Sequence, residues 1–232
     1  MGSTRLPGKC DLPILHTTTT GILIERLKKV RNADEIVIAT TVDAKDNILE
    51  ERAKKFGVGC FRGSEEDVMS RVIGAGELTK ADVIVEVTGD CLLLDPKLVE
   101  EGIDLFLSGN ADVVTNVMDG KVSYPQGMDV QVFPWRLLKE AWPHASVDQR
   151  EHVSLYFYQN PKKYKIHFIE APPARRLPHW RLMLDYEADY RLLKTVFEKL
   201  HPKKADFNID EVIRTIQLDP KLLRLVEATY DR

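Results

Sequence analysis

The feature that most constrains this chain is an alternation running through its first two thirds, where short β-branched runs are separated by longer segments of helical period. That pattern predicts a mostly parallel α/β sheet with helices on both faces, because parallel strands need crossovers long enough to hold a helix. Residues 35–40 and 81–87 read as buried strands, and the second leads straight into Thr88-Gly89-Asp90. Shorter β stretches are predicted at residues 59–61, 112–115, 130–132, 165–169 and 180–184. Helices are predicted over residues 46–56, stopped by Gly57, and over 66–78, 96–107, 135–142, 151–158 and 187–200. The tail, residues 209–230, reads as one or two helices divided near Pro220.

At 232 residues and 44% hydrophobic, the chain is long enough for one large domain, with room for a small β excursion. A net charge of −3 argues against a polyanion as main partner, so no nucleic acid is expected. Cys10, Cys60 and Cys91 are too few for a disulfide framework and form no Cys-x-x-Cys pair, which fits a reducing compartment. The apolar runs are short and the start lacks the apolar core of a signal peptide, so a soluble, cytoplasmic protein with no membrane partner is expected.

Residues 2–9 pack two glycines, two hydroxyls and two cations, Arg5 and Lys9, into eight positions. Backbone N–H groups of such a turn can cradle phosphate oxygens, Arg offers paired donors and Lys a point charge. The P-loop spacing is not met, and a flexible basic terminus is the plainer alternative. Asp90 follows a strand and a Gly, where open α/β sheets keep their ligand crevice; a carboxylate there can hold Mg²⁺ or simply cap a turn. Asp185 stands at a predicted strand-to-helix junction and is either a second metal carboxylate or an N-cap. Arg62-Gly63-Ser64 leads into a capping sequence, with Ser64 as N-cap and Asp67 at the third helical position, and could also line a base pocket. Arg150-Glu151-His152 could pair a substrate carboxylate or form a solvated helix start, and residues 124–129 make a polar turn able to read hydroxyls. His16, His144, His167, His179 and His201 show no metal-ligand spacing.

Five motifs in order, Met1-Gly2-Ser3-Thr4-Arg5-Leu6-Pro7-Gly8-Lys9, Phe61-Arg62-Gly63-Ser64-Glu65-Glu66-Asp67-Val68, Thr88-Gly89-Asp90-Cys91, Tyr124-Pro125-Gln126-Gly127-Met128-Asp129-Val130 and Arg150-Glu151-His152-Val153, resemble the cytidylyltransferase family across almost the whole chain. The resemblance implies a Rossmann-like nucleotide-diphospho-sugar transferase sheet and transfer of CMP from CTP to a sugar or sugar acid, with release of pyrophosphate, for surface polysaccharide or glycoconjugate synthesis. It implies Arg5, Lys9 and Asp90 as catalytic groups, and Gly2, Ser3, Arg5, Lys9, Arg62, Gly63, Ser64, Thr88 and Gly89 around the nucleotide. Mg²⁺ would be the cofactor, held by Asp90 and Asp185, and Gln126, Asp129, Arg150, Glu151 and His152 would face the second substrate. A homodimer is implied too, with residues 118–170 as the excursion that mediates it. Three positions depart from the family pattern: His16-Thr17-Thr18-Thr19-Thr20 replaces a Gly-Lys-Pro turn, Leu92 replaces a Pro, and Tyr186 follows Asp185 where Thr-Pro is usual. The family's first strand, before the loop, has no counterpart in the sequence, and a reading frame starting upstream is expected. Two other readings stay open: a nucleotide- or sugar-binding protein without turnover, and a glycosyltransferase of related fold, although the Asp-x-Asp motif of that class is lacking.

Overall fold

A computed structural model describes residues 2–118 and 120–230; Met1 of the loop motif, Asp119 of the excursion and the last two residues lie outside them. The loop of residues 2–8 enters a 3-10 turn at Lys9–Asp11 and a small antiparallel hairpin, β1 (Pro13–Ile14) with β2 (Thr17–Thr18), ahead of helix α1 (Thr19–Leu27). Thr18 caps α1 through the Gly21 N–H, while the Thr19 and Thr20 hydroxyls donate back to the Lys9 and Cys10 carbonyls at 2.6 Å. The run of threonines therefore fastens the helix to the end of the loop.

Strand β3 (Val37–Thr41) pairs in parallel with β4 (Gly59–Gly63), joined by the crossover helix α2 (Asn47–Phe56), which ends on Gly57 at φ 62°. Then come α3 (Val68–Thr79), β5 (Val83–Glu86), α4 (Pro96–Leu107) and β6 (Val113–Thr115). A second small hairpin, β7 (Val117–Met118) with β8 (Lys121–Val122), precedes β9 (Gln131–Pro134), α5 (Trp135–Ala141), α6 (Val147–Glu151), α7 (Leu155–Tyr158) and β10 (Ile166–Phe168). The chain closes with α8 (Glu187–Leu200), α9 (Ile209–Gln217) and α10 (Pro220–Tyr230). The stretch assigned to the excursion thus supplies β9 and β10 as well as the hairpin.

The larger sheet has the order β10-β6-β9-β5, with β9 antiparallel to both neighbours and β10 parallel to β6. Among the described residues no ladder joins it to the β3–β4 pair. Helix α3 spans the two: Phe61 of β4 packs against it at Gly74, and Ile84 of β5 with Trp135 packs at Gly76, where an added Cβ would stand 2.1 Å and 2.3 Å from the nearest ring atoms. Alternate residues of β5 face opposite layers, Val83 and Val85 toward the core under α1, α4, α8 and α9, Ile84 toward the one under α3, α5 and α7. Burial on both faces explains why β5 reads as an unbroken apolar run.

Three expected boundaries are corrected. The helix expected over residues 66–78 begins at Val68, and its cap is Asp67, whose carboxylate accepts the Ser70 N–H at 2.8 Å; Ser64 holds the preceding turn by accepting from Asp67 N at 3.2 Å. The helix expected over 151–158 is two short pieces, because His152 leaves helical geometry at ψ 73°. The strand expected over 180–184 is extended backbone with one bridge, Arg181 to Gln126; its N–H groups are captured by loop carbonyls, Leu182 N by Gln126 O at 2.8 Å and Leu184 N by Asp90 O at 3.1 Å.

Candidate active site

That last bond sets the site. Asp90 lies just past the carboxyl end of β5, and the Leu184-to-Asp90 backbone contact lays the Asp185 carboxylate alongside it. Lys9 comes up from the loop between the two, its Nζ 3.1 Å from Asp90 Oδ2 and 2.8 Å from Asp185 Oδ1. Three segments far apart in sequence thus meet at one ammonium group. Thr88 Oγ1 donates to the other Asp90 oxygen at 2.7 Å and so fixes that carboxylate's rotation.

Asp185 is almost fully buried and ringed by cations: Lys9, Arg5 with NH2 at 2.9 Å, and Arg181 in a close contact four residues back. Burial works against its charge, yet Lys9 and Arg181 outweigh it and hold the carboxyl below its ordinary range. Burial likewise opposes the Lys9 charge, and the two carboxylates more than offset it, so Lys9 stays protonated. The Arg5 guanidinium, half-exposed, lies over the Tyr186 ring at 5.3 Å, so the residue that departs from the family pattern supports a loop cation. Asp189, buried, accepts the Asp185 and Tyr186 N–H groups at 2.9 Å each and thereby orients the turn. Neither Arg181 nor Asp189 was singled out in the sequence; their only signal is spacing, four residues either side of Asp185.

The pair Asp90 and Asp185 could hold a divalent cation, since their oxygens already converge on one cation. Mg²⁺ needs few protein ligands when phosphate oxygens and water complete its shell, and the donor set fits that habit. Among the described residues no cluster of three or more His, Cys, Asp or Glu forms a metal site without a ligand's help.

The other sequence candidates are placed as follows. Ser3 Oγ accepts from Leu6 N at 3.2 Å and tightens the loop, and Gly2 lies against Lys45 and Glu65. Arg62 donates to the Thr41 and Asp43 carbonyls and to Asn47 and Glu50, bracing the β3–α2 junction, with Gly63 ending β4 and Ser64 following it. Thr88 and Gly89 are exposed beside Asp90, and nothing lies within 4 Å of where a Gly89 Cβ would be. Gln126 is zipped to the 180–182 backbone. Asp129 lies near Asp90; burial and that neighbouring charge raise its pKa to about 6, against the Gly127 N–H that favours the anion. The Arg150 guanidinium turns to Asp67 at 3.6 Å and stacks over Trp142 at 5.4 Å, while Glu151 and His152 are exposed at the end of α6.

With this geometry in hand, comparison with known proteins is informative. The profile of the cytidylyltransferase family matches residues 1–212. The chain belongs to that family. The cytidylyltransferase is 34% identical to the spore coat polysaccharide biosynthesis protein SpsF of Bacillus subtilis, over 95% of this chain and 92% of SpsF. It is 25% identical to a 3-deoxy-manno-octulosonate cytidylyltransferase of Geobacter sulfurreducens, over 85% of this chain and 89% of that one. A solved cytidylyltransferase from Leptospira borgpetersenii superposes with a TM-score of 0.88 at 36% identity, covering 96% of this chain and 92% of the other. The chain is therefore a CTP-dependent nucleotidyltransferase, and the glycosyltransferase reading falls away.

The cytidylyltransferase also carries a polar row that sequence reading missed. Glu86, Gln131 and Thr115 are cross-strand neighbours on β5, β9 and β6. The Tyr158 hydroxyl donates to Gln131 Oε1 at 2.5 Å and lies 3.0 Å from Thr115 Oγ1, and Ser154 Oγ donates to Glu86 Oε2 at 2.9 Å. Glu86 keeps a strip of surface although protein surrounds it; burial pushes its carboxyl up to about 7, with the Ser154 bond pulling the other way. A Glu set inside an apolar β run was the available signal.

Proposed function

We propose that the chain transfers CMP from CTP to a sugar or sugar acid and releases pyrophosphate, as a cytoplasmic enzyme of surface polysaccharide or glycoconjugate synthesis. The observation that carries the reading is Lys9 Nζ held between the Asp90 and Asp185 carboxylates, with Arg5 on the same cluster. An acceptor oxygen attacks the α-phosphorus, the bond from that phosphorus to the bridging oxygen of the β-phosphate breaks, and the acceptor's hydroxyl proton passes to solvent. Charge accumulates on the departing pyrophosphate, and Lys9 and Arg5 are the cations placed to receive it. A Mg²⁺ ion on Asp90 and Asp185 would neutralise phosphate charge and help orient the triphosphate. Thr88 keeps Asp90 turned toward the cluster, and Asp189 does the same for Asp185. The relatives' names, a spore coat polysaccharide protein and a sugar-acid cytidylyltransferase, support a saccharide acceptor.

The first test is thermal stabilisation by CTP, UTP, ATP and GTP with and without Mg²⁺, since a ligand of the folded state raises its apparent stability. A Mg²⁺-dependent rise selective for CTP is expected, and no rise with CTP would sink the reading. Asp90→Asn is expected to abolish Mg²⁺-dependent pyrophosphate release; undiminished release would remove the metal role. We include a homodimer in the reading, supported by the exposure of Val122, Trp142 and Val147 within residues 118–170.

A further inference from the structure

The two carboxylates of the site are held in an unequal way, which has a consequence on the reading that this site takes Mg²⁺·CTP. Each has one oxygen on a partner from its own segment and one on a cation from the loop. Asp90 Oδ1 accepts from Thr88, two residues back, at 2.7 Å, and Asp185 Oδ2 is engaged by Arg181, four residues back. The remaining oxygens, Asp90 Oδ2 and Asp185 Oδ1, are bridged by Lys9 Nζ at 3.1 and 2.8 Å. Arg5 also reaches Asp185 Oδ1, at 2.9 Å, from a side chain that is 53% exposed. A divalent ion shared by the pair needs the two oxygens that converge, and those are the ones Lys9 holds.

The Lys9 backbone is anchored, whereas its ammonium hangs on a flexible stem. Lys9 N donates to Leu6 O at 3.1 Å and Lys9 O accepts the Thr19 hydroxyl at 2.6 Å. Rotation about the side-chain bonds can therefore carry Nζ off the carboxylates without disturbing the loop. Thr88 and Arg181 move with their own carboxylates and keep them aimed when Lys9 departs. In direct contacts Lys9, Arg5 and Arg181 stand one for one against Asp90, Asp185 and Asp189. A free divalent ion would add two positive charges beside an ammonium that has no other partner to take. A triphosphate brings negative charge in the same step and offers Lys9 and Arg5 new acceptors.

We propose that Lys9 is the resident occupant of the cation position between Asp90 and Asp185, and that it yields this position only to a metal arriving with a triphosphate. Lys9 thereby sets the order of assembly. Metal and nucleotide enter together, and the two carboxylates are closed to a divalent ion on its own.

The test follows Mn²⁺ binding without nucleotide, through the electron paramagnetic resonance of the free ion. Lys9→Met is expected to bind Mn²⁺ at least ~10-fold more tightly than the parent, within the span of an ordinary coupling free energy. Lys9→Gln is expected to show the same gain and serves if the Met variant does not fold. Arg5→Met removes an equal charge from one carboxylate only, and is expected to gain no more than ~3-fold. Adding Asp90→Asn to Lys9→Met is expected to return the affinity to that of the parent. Lys9 variants that bind Mn²⁺ no more tightly than the parent overturn the proposal. An Arg5→Met gain equal to that of Lys9→Met overturns it too, since charge alone would then account for the effect, and so does a gain that survives Asp90→Asn. Stabilisation of the parent by CTP with Mg²⁺ separates the two failures: where it persists, only the occupancy by Lys9 is wrong, and where it is absent the CMP-transfer reading fails on its own account.

Discussion

At the scale of single residues, the site turns on Lys9. Its ammonium screens two carboxylates from one another, and on the proposed function it meets the triphosphate's charge, so Lys9→Met, which keeps length and removes charge, is expected to lower kcat by ~100- to 1,000-fold. Pyrophosphate release measures it, and a rate within a few-fold of the parent would remove Lys9 from the chemistry. Glu86 makes a prediction about pH. Its carboxyl titrates near 7 in the fold, above the ordinary Glu value of about 4.3 in an unfolded chain. Between those values the folded state binds more protons than the unfolded one, so Glu86 makes stability fall as pH rises from about 4.3 to about 7, with no further change above. Urea denaturation across that window should show a shallower decline in Glu86→Gln than in the parent; equal slopes would place the Glu86 titration elsewhere.

At the scale of elements, the extended segment of residues 180–184 matters more than any strand, since it delivers Asp185. Its partner turn depends on Gly127, which has φ 93° and sits so close that an added Cβ would stand 2.7 Å from the Leu182 carbonyl oxygen. Gly127→Ala is therefore expected to cost roughly 1–3 kcal/mol and to weaken the Mg²⁺·CTP shift as Asp185 moves off Asp90. Calorimetry with and without Mg²⁺·CTP checks both, and a variant as stable as its parent would contradict the packing. The comparison with the sequence is instructive here. The helix over residues 96–107 was legible because Pro96 at its start and an apolar stripe agree, and β5 because a run of β-branched residues ends on Gly89-Asp90. Residues 180–184 have strand-like composition, but the hydrogen-bond partners that decide their state are loop carbonyls at positions 90 and 126, which no local pattern reveals. Asp90, Asp185 and Lys9 were each identifiable as candidates with a plainer alternative beside them. Their meeting was not legible, because it depends on one backbone contact between Leu184 and Asp90. Glu86 was not singled out, because a lone carboxylate inside the predicted strand 81–87 carries no spacing that marks it as functional.

At the scale of the whole molecule, Arg26 links the ends of the chain. Buried in the core, it donates to the Leu93, Leu94 and Phe207 carbonyls and stacks on the Phe207 ring at 4.5 Å. Burial lowers its pKa to about 10, which leaves it charged at neutral pH. Arg26→Met would strand three buried acceptors and is expected to cost roughly 3 kcal/mol or more, read as a drop in Tm. The residues it gathers carry α1 and the loop behind Asp90, so the Mg²⁺·CTP shift should weaken with it. Asp95 makes a parallel tie, capping α4 through Lys97 N and accepting Ile209 N at the start of α9.

Helix α3, lying across the β3–β4 pair and β5, has one more consequence. Where a ladder joins strands, relative motion must break backbone hydrogen bonds in register; where a helix is the shared member, two sheets can slide by exchanging side-chain contacts alone. The arrangement of Phe61 at Gly74 and Ile84 with Trp135 at Gly76 is thus a bearing between Arg62 on one plate and Glu86 on the other. A nucleotide-sugar pair bound across both plates would act as a latch, slowing amide exchange in β3 and β5 together.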